Sequence, residues 1–160
     1  MLLAKKILLL AATLTIMFSA SAIAQEERNE LQSEFLMDFI IDTADPQQIG
    51  SRRIVPITGG RFEGPELNGK VLNVGADWIE ARADGTSELD VRVTLETDDG
   101  QLIYMSYHGV LSRSDTGLYW RVVPTFETAS EKYDYLNTII AVGIGKRIDG
   151  KTAYSIYRIL

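Results

Sequence analysis

Apolar side chains in this chain recur at every second position. Phe35, Met37, Phe39 and Ile41 form one such row, and Leu89, Val91, Val93 and Leu95 form another. A repeat of two lines one face of a β-strand, whereas an amphipathic helix needs a repeat near 3.6. Turn signals return roughly every ten to fifteen residues, at Asp84-Gly85, Asp98-Asp99-Gly100, Asp115 to Gly117 and Asp149-Gly150, each with residues that tolerate positive φ. The pattern predicts an all-β chain of about eight or nine antiparallel strands. The long stretch "EKYDYLNTIIAVGIGKR" does not break it, because its second half carries β-branched residues and two glycines. A short turn near Glu131 to Asn137, followed by a strand, is expected there.

So many strands in so few residues must hide their edges, and closing the sheet into a barrel does so without extra chain. A two-sheet sandwich would satisfy the same periodicity. The apolar ends "FLMDFII" and "AYSIYRIL" are suited to pair and complete a ring. A barrel of this size holds either a packed core or one small ligand.

The Asp98-Asp99-Gly100 hairpin fixes a register, because loop length decides which residues stand opposite. A two-residue loop would set Leu95 beside Tyr104 and Val93 beside Ser106, mixing apolar with polar. A three-residue loop with Gly100 in the left-handed region pairs Leu95 with Ile103, Val93 with Met105 and Val91 with Tyr107. That register gathers Asp90, Arg92, Thr94, Tyr104, Ser106 and His108 on the other face, with Asp90 opposite His108. Such a face is either solvated or a polar patch in a pocket. Opposite Asp90, His108 gains a carboxylate able to orient its ring.

The segment "GGRFEGPELNGKVLNVGADW" is mostly architectural: Gly59-Gly60 and Gly64-Pro65 fit two turns, and Gly69 and Gly75 allow tight bending where a barrel closes. It ends on Asp77-Trp78, of which one must point inward. An inward Trp78 would be a stacking wall; an inward Asp77 would be a carboxylate in a low-dielectric cavity and a candidate acid or base. Glu127, on the face it shares with Arg121, reads as a rim carboxylate holding the following turn, and Asn137 as a partner for loop backbone groups.

Residues 1–24 read as a secretory signal peptide: Lys5-Lys6, an apolar run from Ile7 to Phe18, and a small-residue cleavage region ending in Ala24. Residues 25–32, "QEERNELQ", form a flexible polar lead-in, and residues 33–160 the domain. No cysteine follows the leader, so lipid attachment there is excluded and a soluble periplasmic or secreted protein, free of the membrane after cleavage, is expected. Losing Lys5 and Lys6 takes the net charge from −6 to −8, which disfavours nucleic acid as a partner. With no cysteine and one histidine, neither a disulfide nor a thiolate or histidine metal site is expected. Phosphate-loop, nucleophile-elbow and dinucleotide motifs are absent, so no cofactor is expected.

Four blocks in order, "RIVPITGGRFEGPELNGKVLNVGADW", "DGTSELDVRVTLETDDGQLIYMSYHG", "YWRVVPTFETASEKYDYLN" and "VGIGKR", resemble the DUF3237 family, also called UPF0311, over about residues 33 to 160. Tyr135 stands where that family commonly has tryptophan before Leu-Asn. The resemblance implies a small, mainly antiparallel β-barrel with a central cavity. Most members of the family have no established function, and some in biosynthetic gene clusters resemble cofactor-free cyclases.

With the resemblance, the polar hairpin face is expected inside, Arg92 pointing into the cavity with Asp90 and Tyr104. The first functional reading is a barrel that binds a small apolar or aromatic molecule, with Trp78, Asp90, Arg92, Tyr104, His108 and Glu127 as ligand-binding candidates. The second is a cofactor-free cyclase or isomerase, with catalytic candidates Asp77, Asp90, Arg92 and Tyr104. Oligomeric state is left open by the sequence.

Overall fold

The computed structural model of the protein describes residues 30–160. The leader expected over residues 1–24, and residues 25–29 of the lead-in, lie outside the described residues. Nine strands follow one another: β1 (Ser33–Thr43), β2 (Gln47–Ile49), β3 (Arg52–Glu63), β4 (Asn68–Ala81), β5 (Ser87–Thr97), β6 (Leu102–Ser114), β7 (Gly117–Glu127), β8 (Ala141–Ile148) and β9 (Lys151–Ile159). Eight of them close a ring in the order β1-β9-β8-β7-β6-β5-β4-β3, with β3 pairing back to β1. The short β2 lies along the start of β3, outside the ring. The two chain ends meet as their apolar alternation requires, Phe39 opposite Tyr154 and Met37 opposite Ile156. Closure leaves the barrel without an open edge and excludes the sandwich.

The β5–β6 register is the three-residue one: Leu95 faces Ile103, Val93 faces Met105, Val91 faces Tyr107, and Gly100 has φ +81°. Its apolar row is the interior, with Val91, Leu95, Ile103 and Met105 each fully buried. Burying one such side chain stabilises the fold by roughly 1.5–3 kcal/mol. Gly64-Pro65 lies in the β3–β4 turn, as expected, whereas Gly59-Gly60 lies inside β3, where that strand meets β1. These two glycines are part of the closing seam and not of a turn.

One end of the barrel is plugged. A 3-10 helix, Glu131–Thr138, follows β7 and buries Tyr133 and Leu136 against the core. The β5–β6 loop holds it: Asp99 accepts hydrogen bonds from Lys132 Nζ at 2.6 Å, Tyr133 OH at 3.2 Å and Thr97 Oγ1 at 2.5 Å. These donors, Lys132 foremost, lower the Asp99 carboxyl to about 2. Asn137 pairs with the backbone of Thr128, accepting from its N–H at 2.8 Å and donating to its carbonyl at 3.0 Å. Its expected service to loop backbone is what the structure contains.

In the barrel's middle layer four aromatic side chains meet. Tyr154 stacks on Phe39 with ring centres 6.2 Å apart, and meets Tyr107 and Trp120 edge-on at 5.3 and 5.2 Å. Beyond this layer, away from the 3-10 helix, the barrel opens.

Candidate functional site

The open end holds a cavity of about 260 Å³. An apolar cavity of about 150 Å³ accommodates benzene, so this space suits a molecule of one or two rings. Aliphatic side chains of β1, β3, β4, β5 and β6 supply much of its wall, and its polar groups come from Thr43, Arg53, Asp77, Ser87, Arg147 and Thr152, with the Trp120 indole at one side.

Asp77 reaches the cavity because β4 alternates and its partner rows are apolar. It stands between Val55 of β3 and Val91 of β5, both on the inner face. The pair Asp77-Trp78 is thus resolved in favour of the carboxylate. Asp77 Oδ1 is buried without a hydrogen-bond partner among the described residues. Burial raises its carboxyl to about 7; the Asp90 backbone and the Arg53 guanidinium oppose the rise, and the Asp90 charge adds to it. At neutral pH both protonation states are therefore populated, as general acid–base work requires.

Trp120, which the sequence reading does not single out, supplies the aromatic side of the cavity, with Tyr154 packed edge-on against it and Tyr107 against Tyr154 in the layer beneath. Trp120 sits on the inner face of β7, and the Arg147 guanidinium lies 5.4 Å from its ring centre. Gly145 of β8 leaves the indole its space. Trp120 Nε1, Tyr107 OH and Tyr154 OH are buried with no hydrogen-bond partner among the described residues. Burial holds both phenols above their ordinary range, and the nearby Asp77 charge pushes the same way. They remain neutral, the Tyr154 hydroxyl lying near both the Tyr107 hydroxyl and the Trp120 indole. The signal was present in the alternation Trp120-Val122-Pro124-Phe126 and Tyr154-Ile156, but an aromatic in an apolar row reads as core.

The other sequence candidates lie elsewhere. Arg92 does not point into the barrel; its side chain is 47% exposed, 3.2 Å from Asp90 Oδ1. Its guanidinium also lies over the Trp78 ring at 5.3 Å, and Trp78 faces outward opposite Ile54. His108, its side chain 79% exposed, has Nδ1 3.7 Å from the same Asp90 oxygen. Tyr104 is exposed opposite Glu127. Glu127 is itself exposed, at the plugged end of the barrel. The reason is the one that set the hairpin register: when one face of β5 and β6 is uniformly apolar, a closed barrel turns that face inward and leaves the polar one to solvent. Asp90, Arg92, Tyr104, His108, Trp78 and Glu127 thus do not line the cavity, and Asp77 alone of the sequence candidates does.

Known proteins resemble this chain in sequence and share its barrel. A β-barrel-like protein of Acinetobacter baumannii has a solved structure that superposes with a TM-score of 0.79 at 36% identity, covering 85% of this chain and 100% of that one. A UPF0311 protein of Clostridium acetobutylicum is 33% identical over 125 residues, 69% of this chain and 79% of its own length. The hydroalkoxylation enzyme phnH of Penicillium herquei is 31% identical over 106 residues, 66% of this chain and 62% of its own. The profile of the protein of unknown function DUF3237 matches residues 31–159. With nearly the whole barrel matched and several UPF0311 relatives above 30% identity, this chain belongs to the DUF3237 (UPF0311) family.

Proposed function

We propose that this protein binds a small unsaturated or aromatic molecule in the mouth cavity and moves a proton on it with Asp77, an isomerisation or ring closure that needs no cofactor. The observation that carries the reading is the Asp77 carboxyl: buried, unpartnered at Oδ1, and raised to about 7 where an ordinary aspartate is fully ionised. Trp120 offers an indole for stacking, and the Arg53 and Arg147 guanidinium groups on the same wall are hydrogen-bond donors for a developing oxyanion.

Hydroalkoxylation, the activity that names the Penicillium relative, has the same form: an O–H adds across a C=C bond. Protonated Asp77 gives its proton to one alkene carbon, the substrate hydroxyl oxygen bonds to the other, and the hydroxyl proton returns to the carboxylate. Atoms and electrons balance, with no oxidant or reductant consumed. One carboxylate that both gives and takes back a proton suffices.

The test uses whatever small molecule co-purifies. Protein incubated with it in D₂O is expected to give a product carrying one carbon-bound deuterium, read by mass spectrometry. Asp77→Asn should still bind the molecule but lose turnover by about 10²–10⁴-fold. Release of the molecule unchanged and without deuterium from the wild type would reduce the function to binding alone.

Action outside the cytoplasm belongs to the same proposal and rests on the leader of residues 1–24. Intact mass of the exported protein should match a chain beginning at Gln25. A full-length chain fractionating with membranes would overturn the export reading.

A further inference from the structure

The ionisable groups on the cavity wall are Arg53, Arg147 and Asp77. Neither arginine has an acidic partner within 4.0 Å among the described residues, whereas nine lysine or arginine ion pairs occupy most of the other cations there. Arg147 is held by neutral groups: it donates to Thr152 Oγ1 at 2.8 Å and lies over the Trp120 ring. Asp77 forms no ion pair with Arg53, and when ionised it offsets only one of the two positive charges. The cavity is therefore positive in a chain whose net charge is −6.

Resting on the cavity reading above, we infer that the ligand is an anion, a planar carboxylate or comparable oxyanion whose charged group lies between Arg53 and Arg147 while its ring system stacks toward Trp120. A guanidinium fork matches a carboxylate with two parallel N–H···O bonds, and both arginines sit at the exposed rim, where a charged group keeps part of its hydration. The apolar wall and the indole take the rest of the molecule. An anion there also opposes ionisation of Asp77, favouring its proton-donating form when ligand is bound.

Titration calorimetry with 2-naphthoate and the isosteric neutral 2-naphthamide separates this inference from the reading beneath it. The carboxylate is expected to bind roughly ten-fold or more tightly than the amide, the difference that charge-assisted hydrogen bonds confer. Arg53→Met and Arg147→Met should each remove most of that preference while leaving naphthamide affinity within about two-fold. Arg121→Met, on the outer face, should change neither, and circular dichroism checks that each variant is folded. Arg147→Lys, which keeps charge without the fork, should retain part of the preference.

Equal affinity for the two probes overturns the anion inference and leaves the cavity reading standing. So does a carboxylate preference that survives the Arg53→Met/Arg147→Met double variant. Binding of neither probe overturns the cavity reading, and this inference falls with it.

Discussion

Asp77→Asn is expected to be more stable than the wild type at pH 9 and equal to it at pH 4. The Asp77 carboxyl is raised from an ordinary 3.8 to about 7 in the folded protein. Between those values the folded state keeps a proton that the unfolded chain has released, so stability falls as pH climbs through this window. Roughly three pH units at 1.36 kcal/mol each bound the loss at on the order of 4 kcal/mol. Water entering the open cavity reduces it, and a measured difference of about 2–4 kcal/mol at pH 9 is expected. Asparagine keeps the shape and never ionises. Asp99, lowered to about 2, acts oppositely: its contribution is lost only as pH falls below the usual aspartate range. It cancels in any case when variant and wild type are compared at each pH. Urea unfolding at intervals from pH 4 to 9 supplies the difference curve. A curve flat across that range would mean that Asp77 is ordinarily solvated, and would remove the basis for proton transfer at neutral pH.

The Asp77 result was half legible in the sequence, and the way it was half legible is instructive. Alternation alone required that Asp77 and Trp78 face opposite ways, and could not say which faced in. The decision came from partners: Asp77 stands between Val55 and Val91, whereas Trp78 is opposite Ile54 on the outer surface. Those pairings depend on strands brought together by closure of the ring. The β5–β6 register, by contrast, needed only a loop of three residues and the separation of apolar from polar, both local facts. The error with Arg92 arose where the family resemblance was asked to choose a face. Resemblance locates blocks along the chain; Val91, Val93 and Leu95 had already assigned the interior to the other side. Trp120, Tyr107 and Tyr154 were hidden by their own chemistry, each an apolar body in an apolar row with one polar atom at its tip. Arg53 and Arg147 were hidden for another reason. They continue the inner rows of β3 and β8 to the point where the barrel opens, and only the closed structure distinguishes that rim from the core.

A large loss of stability is expected at Gly75, whose place in β4 also bears on the position of Asp77. The β4–β5 pairing slips here: Val71 stands opposite Leu95 and Gly75 opposite Val93, so β4 carries two more residues than β5 over this interval. An even excess leaves the alternation intact, and Asp77, two residues on, still faces inward. Gly75 has φ +145°, and a Cβ built on it would lie 2.1 Å from the Arg92 carbonyl oxygen and 3.2 Å from the Val93 Cα. Both neighbours are backbone of the paired strand, unable to swing aside. Gly75→Ala therefore combines backbone strain of about 1–3 kcal/mol with overpacking of about 1–3 kcal/mol, together about 2–6 kcal/mol. Gly100→Ala is the matched comparison. Gly100 has φ +81°, but nothing lies within 4 Å of its built Cβ, so only the conformational cost of about 1–2 kcal/mol applies. Denaturant unfolding of the two variants at pH 5, where Asp77 retains its proton, should show Gly75→Ala losing about 2 kcal/mol more than Gly100→Ala. Equal losses would show that β4 can shift away from β5 at little cost. The slip would then be a loose segment, and Asp77 would lack the rigid support that a proton-transfer group needs.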